Sequence, residues 1–195
     1  VSNIYVPPSA NDFLPFAQKL KDTKADMVYV AWAGATAPAM WKALDDAGIP
    51  SVSRIVTGLD QRSSYATFGP IASKITFLSH YFYQAASNRV NAALVNALRK
   101  QGKVPDLFDP DGFVAAQMVV HAIEVGGDDV PKMTSALSGW SFLAPKGAQT
   151  IRDADHAMMQ PMFVARLVSA GGGFEPQLVR TIPATAVAPP VHPFK

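Results

Sequence analysis

Short apolar runs alternate with helix-like segments in the first part of this chain, and this alternation constrains the fold more than any other feature. Residues 27–32 form a continuous apolar run, which is typical of a strand buried on both faces. Residues 52–57 and 75–83 form two further runs that contain polar residues and are predicted as strands, and stripes at helical spacing lie between the runs. Strand, helix and strand joined by short connections predict an α/β fold with a parallel sheet covered by helices.

The later part of the chain has a different pattern. Three successive helices are predicted: one over residues 88–100 with Asn88 as its cap, one over residues 109–124, and a short one after a cap at Asp129. Strands follow at residues 149–152, 158–168 and 174–181, and the Pro-rich residues 183–195 are expected to form an extended tail.

Composition excludes several classes of function. The chain has no cysteine, so disulfides, thiolate metal sites and a cysteine nucleophile are excluded. Its net charge is only +2 with no Lys/Arg-rich block, which argues against a nucleic-acid partner. We find no phosphate-binding glycine loop, no nucleophile elbow and no metal-ligand spacing among the four histidines. No cofactor and no metal site are therefore predicted.

One group has a catalytic composition. Asp153, Asp155 and His156 place two carboxylates beside an imidazole, which can provide acid/base chemistry or bind a metal. A polar turn between two strands, with the Asp side chains bonded to turn backbone, is the favoured interpretation. A hydrolase that uses these residues is the less favoured one.

The ends of the predicted parallel strands are the more informative positions, because ligands in open α/β sheets lie outside the carboxyl ends of the strands. After the first run, small residues lead into a helix, where free backbone N–H groups can approach a polar or anionic ligand atom. A tight turn with a Thr cap explains the same residues equally well. This first candidate segment consists of Ala33, Gly34, Ala35 and Thr36.

Two further strand ends supply candidates. Gly58 and Asp60 follow the second run, and Asp60 can pair with a ligand ammonium group or cap a helix. Tyr81 lies at the end of the third run, where an aromatic ring can wall a cleft or pack in the core. Trp32 stands close to a strand end and admits either role.

Several segments, taken in order, resemble one known family. They are residues 12–21 and 25–30, the helix at 108–124, and the late segments 137–139, 145–147, 152–156 and 160–161. Together they resemble the branched-chain-amino-acid-type (Leu/Ile/Val-binding-like) solute-binding proteins of ABC transporters, which have the type I periplasmic fold.

The resemblance implies two Rossmann-like lobes that close on a ligand about a hinge of crossing strands. Residues 1–82 and 158–182 would form lobe two, and residues 83–157 would form a mostly helical part of lobe one. Hinge strands would lie near residues 81–84 and 158–161. The resemblance also assigns Asp60 to the ligand amino group, and the small Ala33–Thr36 loop leaves room for a bulkier ligand.

Family members are longer than this chain, so a fragment is expected that lacks the early part of lobe one. Helices 88–138 would then expose a sizeable apolar surface, to be covered by the missing segment or by another chain. The chain starts without Met or a signal-type segment, so either a leader has been removed, which could also anchor the protein to a membrane, or the chain is a fragment.

The resemblance implies a non-enzymatic, periplasmic or otherwise extracytoplasmic protein. It would capture an amino acid or an aromatic or aliphatic carboxylate and deliver it to an ABC permease. A sensory receptor of the same fold is the alternative that the sequence leaves open.

Overall fold

The computed structural model describes residues 1–192, so the end of the predicted tail, residues 193–195, lies outside the described residues. The α-helices are α1 (Leu14–Asp22), α2 (Ala37–Asp46), α3 (Ile49–Val52), α4 (Arg89–Lys100), α5 (Asp109–Gly126) and α6 (Val130–Leu137). The strands are β1 (Met27–Tyr29), β2 (Arg54–Gly58), β3 (Ile75–Ser79), β4 (Ser141–Ala144), β5 (Gly147–Ile151), β6 (Met158–Met159), β7 (Met162–Ala170) and β8 (Gly173–Ile182). Two 3-10 segments cover Arg62–Lys74 and Ala184–Ala186.

The chain folds into two compact units. Unit 1 comprises residues 1–79 and 164–179, and unit 2 comprises, among the described residues, 80–163 and 180–192. No helix among the described residues has the length and apolar character needed to cross a membrane.

A five-stranded mixed sheet organises unit 1, in the order β1-β2-β3-β7-β8. The first three strands are parallel, with Val28 opposite Ile55 and Val56 opposite Thr76. Their connections pass through helices, which confirms the predicted α/β class and the parallel start of the sheet. Helix α2 packs toward this sheet through aromatic contacts, since the rings of Trp41 and Phe68 lie 5.1 Å apart and those of Phe68 and Phe77 lie 4.8 Å apart.

The first strand is shorter and less buried than the sequence indicates. It ends at Tyr29, and it lies at one edge of the sheet. Val28 is buried, but Met27 and Tyr29 on the opposite face are 58% and 62% exposed. The expectation of a strand buried on both faces was wrong, because an apolar run does not by itself show that both faces are covered.

Three other strand boundaries differ from the prediction. Val52 ends helix α3, so β2 begins only at Arg54. The predicted strand 75–83 ends at Ser79, which leaves Tyr81 outside the sheet. The predicted strand 158–168 is interrupted at Gln160 and Pro161, and proline has no N–H to donate to a sheet ladder.

Unit 2 combines three helices with a small antiparallel sheet, β4-β5-β6, whose first strand the sequence did not reveal. The predicted cap of α4 is confirmed, because Asn88 Oδ1 accepts the N–H groups of Val90 and Asn91 at 2.9 and 3.0 Å. The cap of α6 is confirmed too, with Asp129 Oδ1 accepting the N–H of Lys132 at 3.1 Å.

Helix α5 presents an apolar face to solvent. Val119, Val120 and Ile123 lie on one side of it and are each more than half exposed. The expected apolar surface among helices 88–138 is therefore present, whereas its cover by a further segment or chain stays a prediction.

Candidate ligand-binding site

The candidate residues of unit 1 lie on loops that leave one edge of the sheet. Strands β1 and β2 are parallel neighbours, so their carboxyl ends lie side by side. The Val30 N–H donates to Val56 O at 2.9 Å, and Thr57 Oγ1 donates to Val30 O at 2.8 Å. Leu59 N–H in turn donates to Leu78 O at 2.8 Å, which ties the loop after β2 to β3. This edge therefore carries both the loop after β1 and the loop after β2.

The loop after β1 presents open backbone. Ala33, Gly34, Ala35 and Thr36 are all exposed. Gly34 has φ 90°, a conformation that favours glycine, and the space where its side chain would lie is empty. The loop is closed by the Ala37 N–H, which donates to Gly34 O at 3.0 Å. Small side chains leave this backbone accessible to a ligand.

Thr36 stands at the N-cap position of α2 but does not cap the helix through its side chain. Its Oγ1 instead accepts a hydrogen bond from Trp32 Nε1 at 3.1 Å. The predicted Thr cap was therefore wrong, because the indole N–H takes the place of a backbone donor. The spacing of four residues between the two side chains was the only signal of this contact in the sequence.

Gly58 and Asp60 are exposed beside this loop, at the end of β2. Asp60 Oδ1 accepts the Gln61 N–H at 2.7 Å. Its carboxylate precedes the 3-10 segment by two residues, and Gln61 holds the N-cap position. A carboxylate oriented by the next backbone amide and open to solvent can accept a hydrogen bond from a ligand ammonium or hydroxyl group.

Tyr81 belongs to unit 2, where it is 1% exposed. Its hydroxyl donates to Asn91 Oδ1 at 2.7 Å, and burial raises the pKa of the phenol. The neighbouring Phe82 is buried as well. Within unit 2, Tyr81 is a core residue, and its contact with ligand stays a prediction.

In the polar turn that contains Asp153, Asp155 and His156, both carboxylates are engaged in hydrogen bonds with neighbouring side chains. Arg152 donates to both carboxylate oxygens of Asp155, at 2.7 and 2.5 Å. These hydrogen bonds hold the pKa of Asp155 well below its usual range, so this carboxylate is a poor proton acceptor. Asp153 accepts a hydrogen bond from Ser138.

The turn also forms hydrogen bonds with residues 189–192, near the end of the described chain. Arg152 donates to Pro189 O at 2.9 Å and to Pro190 O at 3.2 Å. Asp155 Oδ2 accepts the His192 N–H at 3.1 Å. Over residues 1–192, no group of three or more His, Asp or Glu side chains is arranged to hold a metal ion.

Unit 2 contains a buried polar cluster that sequence reasoning did not identify. Lys146 is 2% exposed, and its Nζ lies 2.8 Å from His80 Nδ1 and 2.9 Å from Gln160 Oε1. His80 Nε2 lies 2.8 Å from Asp111 Oδ1. Burial lowers the pKa of Lys146 to about 8, against a smaller opposite effect of Asp111. The sequence separations within the cluster are too large for a local pattern to show it.

A model of the family described as periplasmic binding protein matches residues 1–172. This chain belongs to the periplasmic binding protein family. Among its curated relatives is a Leu/Ile/Val-binding protein homolog 6 of Brucella melitensis, 25% identical over 181 residues. That match covers 89% of this chain but 46% of the relative, so the chain spans about half the length of the curated relatives it matches. The family consists of solute-binding proteins and is not a family of enzymes.

Solved structures of periplasmic binding proteins share the fold. An ABC-type branched-chain amino acid transporter protein from Rhodopseudomonas palustris matches with a TM-score of 0.88 and 26% identity, over 98% of this chain and 54% of that one. A Leu-, Ile-, Val-, Thr- and Ala-binding protein from Brucella ovis, in a closed conformation, matches at 0.81 and 21% identity, over 96% and 51% of the two chains. A Rhodopseudomonas palustris solute-binding protein in complex with 4-hydroxybenzoate matches at 0.76 and 20% identity, over 92% and 51%. The resemblance to Leu/Ile/Val-binding-like proteins is confirmed.

Proposed function

We propose that this periplasmic binding protein captures an amino acid or a related aromatic or aliphatic carboxylate, and that it delivers the ligand to an ABC permease outside the cytoplasm. The family match over residues 1–172 carries the proposal. The exposed loops at the carboxyl ends of β1 and β2 supply the polar groups that such a role needs. Residues 1–82 and 158–182 would act as lobe two, and residues 83–157 as part of lobe one.

The proposed ligand contacts in unit 1 provide two kinds of hydrogen-bonding group. Open backbone at Gly34 and Ala35 and the hydroxyl of Thr36 suit a ligand carboxylate. The exposed carboxylate of Asp60 suits an ammonium or a phenolic hydroxyl group. Gly58 would allow the ligand to approach the strand end. The space where a side chain would project from this position is open, so a ligand could occupy it. The aromatic contact predicted for Tyr81, which belongs to unit 2, stays a separate prediction.

Relatives of known ligand offer probes for both kinds of contact. The Brucella ovis protein is a leucine-, isoleucine-, valine-, threonine- and alanine-binding protein, and the Rhodopseudomonas palustris protein is in complex with 4-hydroxybenzoate. L-Leucine presents an ammonium to Asp60, 4-hydroxybenzoate presents a phenol, and benzoate presents neither.

Calorimetric titration of the protein encoded by the complete reading frame tests the proposal. If the ligand is an amino acid, Asp60→Ala should weaken binding of L-leucine about tenfold or more, because one charged partner is removed. Benzoate binding should change little. Asp128→Ala also removes an exposed carboxylate, in unit 2, and should leave every affinity unchanged. Absence of heat with amino acids and with aromatic and aliphatic carboxylates alike would refute the proposed function.

A further inference from the structure

Trp32 is the one large side chain beside an otherwise small-residue loop. The four residues that follow it, Ala33 to Thr36, carry nothing bulkier than a threonine and are exposed. Trp32 itself is partly exposed. The indole of a partly exposed tryptophan keeps one orientation only if contacts with its ring or its N–H hold it.

Two contacts fix the orientation of the indole. Its ring meets the ring of Phe13 edge to face, with 5.4 Å between centroids and an interplanar angle of 75°. Phe13 is 4% exposed and therefore held by the core of unit 1. The indole N–H donates to Thr36 Oγ1 at 3.1 Å. Rotation of the indole would break one or both contacts.

The direction of the Trp32–Thr36 hydrogen bond leaves the Thr36 hydroxyl proton available to another acceptor. A threonine hydroxyl has one proton to donate, whereas an indole N–H can only donate. Because Thr36 Oγ1 accepts from Trp32, the proton on Thr36 has to point elsewhere. Among residues 1–192, no side chain or backbone oxygen accepts that proton, and Thr36 is exposed. The hydroxyl is thus left as a donor toward solvent at the strand edge.

We propose that Trp32 is a positioning residue, which holds Thr36 as a hydrogen-bond donor to an acceptor atom of the ligand, such as a carboxylate oxygen. This inference rests on the proposed solute-binding function and adds a residue to it. Trp32 acts through Thr36, whose hydroxyl proton it leaves directed away from the indole.

A double-mutant cycle tests the coupling, with 4-hydroxybenzoate and L-leucine as probes and with the protein from the complete reading frame. Trp32→Phe keeps an aromatic ring against Phe13 but removes the N–H. Thr36→Val keeps the shape of Thr36 but removes the hydroxyl. Each single variant should weaken binding of the better probe about three- to tenfold. The double variant should be no weaker than Thr36→Val alone, because Trp32 has nothing left to orient.

Two readouts separate positioning from a merely structural role. Thr36→Ser, which restores a hydroxyl, should bind within about twofold of wild type. The indole N–H resonance of Trp32 should exchange faster with solvent in Thr36→Val, whereas the matched resonance of Trp140 in unit 2 should not change.

Additive losses in the cycle, or full affinity in Trp32→Phe, would overturn the role of Trp32 and leave the proposed function intact. Failure of the wild-type protein to bind either probe would count against both proposals. These two failures are distinguishable, because only the second one removes binding before any residue is changed.

Discussion

Lys146 is a buried lysine in an unusual environment. A buried ammonium group ordinarily pairs with a carboxylate, but the nearest partners of Lys146 Nζ are His80 Nδ1 and Gln160 Oε1. Since the ammonium only donates, His80 Nδ1 has to accept, and the His80 proton has to lie on Nε2 toward Asp111. His80 thereby bridges the Lys146 ammonium group and the Asp111 carboxylate, which form no direct ion pair with each other.

This burial has a consequence for stability against pH. The pKa of Lys146 falls from 10.5 to about 8 on folding, mainly because burial disfavours the charged form. Between these two values the unfolded chain binds the proton and the folded chain does not, so stability rises with pH across this window. Below pH 8 both states are charged, and the folded state carries the whole cost of burying the cation. We expect Lys146→Met to remove a rise of roughly 1 kcal/mol per pH unit between pH 8 and 9.5.

Urea unfolding at half-unit steps of pH measures this difference between wild type and variant. Lys103→Met is the control, because Lys103 is exposed and its loss should leave the slope of stability against pH as in wild type. The range stops at pH 9.5 because Tyr81, whose pKa is raised by burial, makes the opposite contribution above pH 10. Parallel curves for wild type and Lys146→Met would contradict the assignment.

At the scale of the element, helix α4 depends on one side chain for its start. Asn88 accepts two backbone N–H groups at the first turn, and its Nδ2 also donates to Pro145 O at 3.0 Å. Asn88→Ala should lower the free energy of unfolding by about 1 to 2 kcal/mol, because both cap bonds and the link to Pro145 are lost. Asn88→Ser keeps a capping oxygen and loses only the link, so it should lie between wild type and alanine. Equal stability of the serine and alanine variants, measured by urea unfolding, would show that the cap contributes nothing.

The packing of α5 against α6 depends on the absence of a side chain at Gly126. A Cβ atom placed there would lie 2.4 Å from Met133 N and 2.7 Å from Met133 Cα, and backbone atoms cannot move aside as a flexible side chain can. Gly126→Ala should therefore destabilise the protein by about 1 to 3 kcal/mol.

Gly112 in the same helix provides the matched control. No atom lies within 4 Å of a Cβ placed at Gly112, and its backbone is helical. Gly112→Ala should leave stability unchanged or raise it by up to about 0.5 kcal/mol, since alanine has the higher helix propensity. Thermal unfolding of the two variants measures the difference, and Gly126→Ala should have the lower melting temperature. Similar melting temperatures would exclude a clash at Gly126.

At the scale of the whole molecule, the exposed face of α5 should dominate how this chain behaves in solution. Val119, Val120 and Ile123 are 56%, 54% and 52% exposed, and contiguous apolar surface of this kind favours association. The chain as given should bind an environment-sensitive apolar dye. Val120→Lys combined with Ile123→Lys should reduce the bound fluorescence by about half or more, without loss of folded structure by circular dichroism.

The control for this charge change is Asn96→Lys combined with Gln101→Lys, which adds the same charge at exposed polar positions of unit 2. Dye binding should remain at the wild-type level in this control. A signal that the control lowers as much as the α5 variant would assign the effect to net charge rather than to the apolar face.

The sequence by itself determined the local elements of this protein. Caps at Asn88 and Asp129 and the alternation of the first eighty residues act over a few residues, so they can be predicted without coordinates, and they agree with the structure. The resemblance to Leu/Ile/Val-binding-like proteins, read from ordered short segments, is likewise confirmed by the family match.

Tertiary structure alone decided which faces are covered and which side chains meet. Apolar residues at Met27 and Tyr29 look buried in sequence but are exposed, because burial depends on what packs over a strand. Lys146 and His80 are 66 residues apart, and no periodic pattern links positions at that distance. The candidate site shows both cases: its loops were predicted from strand ends, whereas the hydrogen bond that turns Thr36 toward solvent required the observed placement of Trp32 against Phe13.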